Sequence, residues 1–254
     1  MSRPAPVGRA ITALAAHELR LTLRRGENLL VTIVVPAAVL LFFATTGVVP
    51  EVAGRAVDFL LPGALALAVI ATGLVNLGIA TAYERQYGVL KRLGGSPLPR
   101  AGLVAAKLLA VLVVEITQVV LLFALAAGVL GWSPDAAVPL GRTVVLLVVG
   151  LVVGTAAFAG LGLLLAGTLR AEATLAAANG LFLAFLMLGG VVIPVSHLPP
   201  PLDGIGWVLP ANALAEVFRG ALAPSVENVP MSVAILAAWA IAAIGLTVRT
   251  FRWE

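Results

Sequence analysis

Long uninterrupted apolar runs constrain this chain more than any other feature. A helix needs roughly 20 apolar residues to cross a hydrocarbon core of about 30 Å at a rise of about 1.5 Å per residue. Six runs approach or exceed that length, over residues 28–49, 59–82, 101–129, 142–168, 173–193 and 230–248. Pro50 and the stretch "GWSPD" mark two of the turns between them. Charged residues make up only 11% of the chain and hydrophobic ones 61%, whereas soluble domains carry about 25% charged residues. The chain therefore reads as an all-α integral membrane protein, a single transmembrane domain over 1–254 with six transmembrane helices. No cleavage-like site precedes the first run, so no signal peptide is expected. With no cysteine, neither disulfides nor thiolate metal sites are available.

Six spans place both termini on one side, and the distribution of Lys and Arg says which. Thirteen of the 16 basic residues lie on the side that holds the N-terminus, and only Arg55, Arg142 and Arg219 lie opposite. Both termini are expected to be cytoplasmic. The net charge of +4 is explained by this topology and by attraction to anionic membrane lipids. No basic patch interleaved with aromatics accompanies it, so no nucleic-acid partner is expected.

Between the second and third runs stands "YERQYGVLKRLGGSPLPR", residues 83–100. At 100° per residue, Tyr83, Tyr87, Leu90 and Leu93 fall on one side of a helix and Glu84, Arg85, Lys91 and Arg92 on the other. Gly94 and Gly95 supply a stop, and Pro97 and Pro99 prevent continuation. Gly88, within the charged face, leaves room for another backbone to approach. This pattern fits a loop lying on headgroups or a ridge on which a cytoplasmic partner docks. Residues 1–27 read as an interfacial elbow helix, with His17, Arg20 and Arg24 on one face and Ile11, Ala15 and Leu19 roughly opposite.

Polar residues inside the spans are few. Lys107, Val111, Glu115 and Gln118 form one stripe of the third helix, a face that should meet protein or a cavity rather than lipid. Lys107 is expected to snorkel to the cytoplasmic interface. Thr72 and Asn76 form a milder stripe on the second helix. These groups either tie helices together or line a substrate path. The proline-rich segment 194–229 is too broken for a span. Within it "ANALAEVFRGAL" reads as a short amphipathic helix, with Asn212, Glu216 and Arg219 on one side, and the whole segment as an outward-side cap of short re-entrant or extracellular helices. Gly150 and Gly154 permit close helix packing without naming a partner.

Intramembrane chemistry finds no support. His17 and His197 fall on opposite sides of the bilayer by this topology, and neither HExxH nor a nucleophile elbow is present. An ion-coupled secondary transporter would be expected to show two related halves, and no such repeat is evident.

The order and spacing of "LPG" (Leu61 to Gly63), Glu84, Arg85 and Gly88, "PLPR" (Pro97 to Arg100), "AK" (Ala106, Lys107) and "GGVVIPVSHLPPPLDGIGWVLPANALAEVFRGAL" resemble the membrane subunit of ABC exporters of the ABC-2 type. The resemblance implies a permease subunit, not itself an enzyme, that moves substrate outward and is powered by a separate ABC ATPase subunit present in two copies. It implies that 83–100 is the cytoplasmic coupling helix and loop, so that Glu84, Arg85, Gly88, Lys91 and Arg92 contact the ATPase, and that the elbow helix touches it too. A second permease copy, as homodimer or heterodimer, completes the pathway. Thr72, Asn76, Glu115 and Gln118 are the candidates for the substrate path. ATP and Mg are used by the partner, and this chain binds no cofactor of its own. The only lysines, Lys91 and Lys107, precede Arg92 and Leu108, so no GxxxxGK[ST] phosphate loop exists. A bacterial plasma (cytoplasmic) membrane and a drug-like or amphiphilic substrate are the expectation. Lipid or polysaccharide/teichoic-acid export is the alternative.

Overall fold

The computed structural model describes residues 6–24, 26–46, 55–94, 99–224, 226 and 228–250. These residues are all helical or connecting. The helices are α1 (Val7–Arg24), α2 (Gly26–Thr46), α3 (Ala56–Ile70), a π-helical segment (Ala71–Asn76), α4 (Leu77–Gln86), α5 (Val89–Gly94), α6 (Arg100–Val129), α7 (Leu140–Thr168), α8 (Ala171–Leu188), α9 (Leu202–Val208), α10 (Pro210–Leu222) and α11 (Val229–Thr250).

Among the described residues five helices are long and apolar enough to cross a membrane: the rod Ala56–Gln86, Ala101–Val129, Leu140–Thr168, Ala171–Leu188 and Val229–Thr250. The sixth expected span corresponds to α2, whose described apolar stretch, Thr32–Thr46, is shorter. Residues 47–49 of that expectation lie outside the described residues. The second run was expected to end at 82, but the rod made of α3, the π segment and α4 continues to Gln86. The rod is the centre of the molecule. From Phe59 to Leu74 its side chains are buried on every side, the mark of a helix that is apolar all round. By contrast α6, α8 and α11 leave Val113, Ile116, Val120, Leu183, Met187 and Ile241 exposed, apolar outer faces suited to lipid.

Glycines let the rod pack at backbone distance. A Cβ on Gly73 would come within 2.9 Å of the Ala159 amide, one on Gly78 within 3.0 Å of Gly162 Cα, and one on Gly162 within 2.6 Å of the Gly73 carbonyl. Gly150 and Gly154 also have partners inside the chain, the Phe218 ring and the Leu214 side chain of α10.

The region 189–229 departs most from its sequence reading. The fifth helix ends at Leu188 rather than 193, because Gly190 adopts φ +65 and a Cβ there would lie 2.6 Å from Asn212 Oδ1. The amphipathic helix occurs where expected, as α10. It is inserted among α3, α7 and α11, with all residues from Pro210 to Ala221 buried except the half-buried Glu216. Arg219, expected on the polar face of an outward helix, is buried. It donates to Glu216 Oε1 at 2.6 Å and to the Gly190 carbonyl, and its guanidinium lies 4.0 Å from the Phe59 ring centroid. Burial pulls its pKa below the ordinary guanidinium value, and the Glu216 carboxylate offsets this. A desolvated guanidinium over a ring contributes about 2 kcal/mol.

Candidate functional site

The end of α4 holds three consecutive polar residues, each directed at a different helix. Glu84 Oε2 accepts a bond from Lys107 Nζ of α6 at 2.7 Å. The Arg85 guanidinium donates to the Leu169 carbonyl, at the C-terminal end of α7, where a cation is favoured by the free carbonyls and the helix dipole. Gln86 Nε2 donates to Glu172 Oε1 at the start of α8, at 3.4 Å.

Lys107 has a second carboxylate partner, Glu18 Oε1 of α1, at 3.0 Å. The lysine is 1% exposed, so it does not snorkel to an interface. Two acidic side chains close over it, and the ammonium finds its compensation inside the protein. Breaking a buried pair by removing one partner costs about 3–5 kcal/mol, because the other charge is then left without compensation. The elbow helix was legible as amphipathic, and His17, Arg20 and Arg24 are indeed exposed while Ile11, Ala15 and Leu19 are half-buried. Glu18 was missed. It is the one acid of α1, on a face otherwise turned toward α6, and that isolation was its only signal.

The stretch 83–94 is not one helix. α4 ends at Gln86, Gly88 takes φ +72, and α5 begins at Val89. Gly88 supplies the left-handed break between the two helices, and nothing of this chain lies within 4 Å of a Cβ built on it. The break also separates the expected faces. Lys91 and Arg92 are exposed on α5 and Leu90 is fully buried, but Glu84 and Arg85 have internal partners. Tyr87, on the same side of that pattern as Leu90, is 73% exposed and stacks on Tyr83 with ring centroids 6.2 Å apart. Gly95 and Pro97 of the expected stop lie outside the described residues.

The polar stripe of α6 is buried along its whole length, Lys107, Val111, Glu115 and Gln118 alike. Glu115 Oε2 contacts the Thr155 hydroxyl of α7, which also lies 2.6 Å from the Leu151 carbonyl. Gln118 Nε2 donates to the Thr32 carbonyl at 3.2 Å, and its Oε1 is 3.0 Å from the Thr72 hydroxyl. Asn76 Nδ2 donates to Thr32 Oγ1 at 3.4 Å. Thr72, Asn76 and Gln118 thus meet around Thr32 of α2, while Glu115 stands apart, against Thr155 of α7. Thr72 and Asn76 both belong to the π segment, a winding that occurs mostly as short bulges, often at functional sites.

One open cleft of about 660 Å³ runs between α2, the π segment with α4, and α8. Val35, Ala71, Val75, Ile79, Ala80 and Phe182 form its apolar wall, Thr32, Asn76 and Asn179 supply polar groups, and Tyr83 and Tyr87 stand at one end. Of the four substrate-path candidates only Asn76 lines it. A smaller pocket of about 40 Å³ behind it joins Asn76 and Thr72 to Glu18, Glu84 and Lys107.

A family model described as ABC-2 type transporter matches residues 9–223. No curated protein matches the chain. The match takes in α2, the central rod, the segment 83–100, the buried stripe of α6 and the inserted α10. The chain belongs to the ABC-2 type transporter family, and within it is a multi-pass membrane permease, working with ABC ATPase subunits and carrying no nucleotide-binding domain in this sequence.

Proposed function

We propose that this permease exports drug-like or amphiphilic compounds across a bacterial plasma membrane, as one of two permease copies driven by two ATPase subunits. In this reading α2 completes a set of six spans, both termini are cytoplasmic, and the ATPase docks on the segment 83–100. ATP and Mg belong to the ATPase, and this chain holds neither.

The cleft carries the substrate reading. Its volume of about 660 Å³ falls within the roughly 300–1,000 Å³ typical of small-molecule sites, which are mostly apolar with a few placed polar groups. No charged side chain lines it among the described residues, which suits an amphiphile better than a charged polymer. The Tyr83–Tyr87 stack offers aromatic faces that accept planar or cationic groups. The cleft is open along one side, where a second copy would close it.

The test is to co-purify the chain with its ATPase in lipid nanodiscs and screen amphiphiles for stimulation of ATP hydrolysis. Asn76→Leu and Asn179→Leu should shift the concentration of amphiphile giving half-maximal stimulation while leaving unstimulated hydrolysis as in the parent. Identical stimulation curves for parent and both variants, across all active amphiphiles, would refute the assignment of the cleft.

A further inference from the structure

Lys107 is the only described side chain that bonds directly to both the elbow helix and the coupling end of α4. Glu18 and Glu84 belong to segments 66 residues apart in the sequence, yet both carboxylates reach the same ammonium, at 3.0 and 2.7 Å. The two acids are 12% and 11% exposed, so the three charges sit out of the solvent that would otherwise screen them. A third tie, Arg85 to the Leu169 carbonyl, holds the next residue of α4 against the end of α7. Beyond these residues the backbone turns through the left-handed Gly88 and presents α5, where Lys91 and Arg92 are exposed.

We propose that Lys107 is a positioning residue that locks α1 and the end of α4 to α6 as one rigid body, so that a push on α5 reaches the rod and the cleft instead of being lost in bending at Gly88. The transmission half of this inference rests on the reading that the ATPase docks on 83–100. The lock itself does not. The route onward is short: the small pocket that contains Lys107, Glu18 and Glu84 also contains Thr72 and Asn76, and Asn76 lines the cleft. Coupling between sites is carried by contiguous networks of this kind when a rigid element connects them.

The lock can be read from the permease alone. The chain has no cysteine, so spin labels placed at Arg20 on α1 and Lys91 on α5 report only the distance between those two helices. In nanodiscs the parent should give one narrow distance distribution. Lys107→Met, Glu18→Gln and Glu84→Gln should each broaden it, while Lys107→Arg, which keeps the charge, should restore it. Should Lys107→Met fail to accumulate, the two glutamine variants decide the matter. Equal distributions in parent and glutamine variants overturn the lock. In the complex with the ATPase, unlabelled Glu18→Gln should still assemble and hydrolyse ATP. Its transport per ATP hydrolysed should fall by at least about fivefold, the lower end of measured coupling between sites. Lys107→Met combined with Glu18→Gln should lose no more than Lys107→Met alone, because both remove the same contact. Unchanged transport per ATP in a variant whose label distribution has broadened overturns transmission through Lys107. A complex in which Lys91→Glu with Arg92→Glu leaves ATPase binding intact instead overturns the docking reading, and the label distances still decide the lock.

Discussion

Substituting Gly162 by alanine tests the central packing of this permease with one methyl group. The added Cβ would lie 2.6 Å from the Gly73 carbonyl oxygen and 2.8 Å from that of Leu74. Both obstacles are backbone, so no rotamer change relieves the clash. Ordinary contact begins near 3.4 Å, so α7 and the π segment must part by roughly 0.8 Å. A gap of about 0.5–1 Å forfeits a quarter to a half of each dispersion contact across it, and the loss extends along the seam, since Gly73 and Gly78 pack there too. Overpacked cores lose about 1–3 kcal/mol; the backbone character of this clash places Gly162→Ala near the upper end, at about 2–3 kcal/mol. Gly128→Ala on α6 is the control, because nothing lies within 4 Å of its Cβ and alanine is the better helix former by about 1 kcal/mol. Reversible unfolding in mixed micelles measures both. If Gly162→Ala unfolds at the same denaturant concentration as Gly128→Ala, the backbone-to-backbone seam is not what holds the rod.

Arg219→Ala should destabilise by about 3–5 kcal/mol, since it leaves Glu216 without its cation and the Gly190 carbonyl without a donor; Arg219→Lys should recover only part, because an ammonium lacks the planar fork. Both are read as heat resistance of the detergent-solubilised protein. Glu115→Gln should keep the contact with Thr155 and leave substrate preference unchanged. The double variant Glu115→Leu, Thr155→Val should be no less stable than either single change, as removing both partners avoids a stranded polar group. A changed substrate profile in Glu115→Gln at parental stability would return Glu115 to the transport path. For topology, cysteines placed at Asp135 and Asp203 should react with an impermeant thiol reagent added to whole cells, and one at Gln86 should not; the opposite pattern would invert the proposed orientation.

The spans were legible because apolar length is a local property, and each long helix ends within a few residues of its expected limit. The α6 stripe was legible for the same reason. The repeat from Lys107 through Val111 and Glu115 to Gln118 is written in consecutive turns, and all four side chains are buried. What each meets was not legible. Lys107 pairs with Glu18, 89 residues earlier, and a lysine near a span end is as compatible with snorkelling as with burial until that partner is known. Local pattern also misjudged residues 83–93, where a hydrophobic periodicity at 100° per residue survives the Gly88 break, so that Tyr87 falls on the apolar side of a wheel yet points outward. In α10 the shared side of Asn212, Glu216 and Arg219 was legible but its surroundings were not: Arg219 and Asn212 find partners or close packing in the interior.

The π segment sets the rotational phase of everything that follows it on the rod. Its closing bond runs from the Leu77 amide to the Thr72 carbonyl, a step of five residues where an α-helix takes four. One extra residue per turn offsets the remainder of the helix by about 100° relative to uninterrupted α winding. Glu84 therefore faces α6, and Arg85 faces α7, only because Ala71–Asn76 is wound in this way. Rewinding those six residues as α-helix would turn the end of α4 by more than a quarter of a revolution, carrying Glu84 out of reach of Lys107 without changing a single residue at either place.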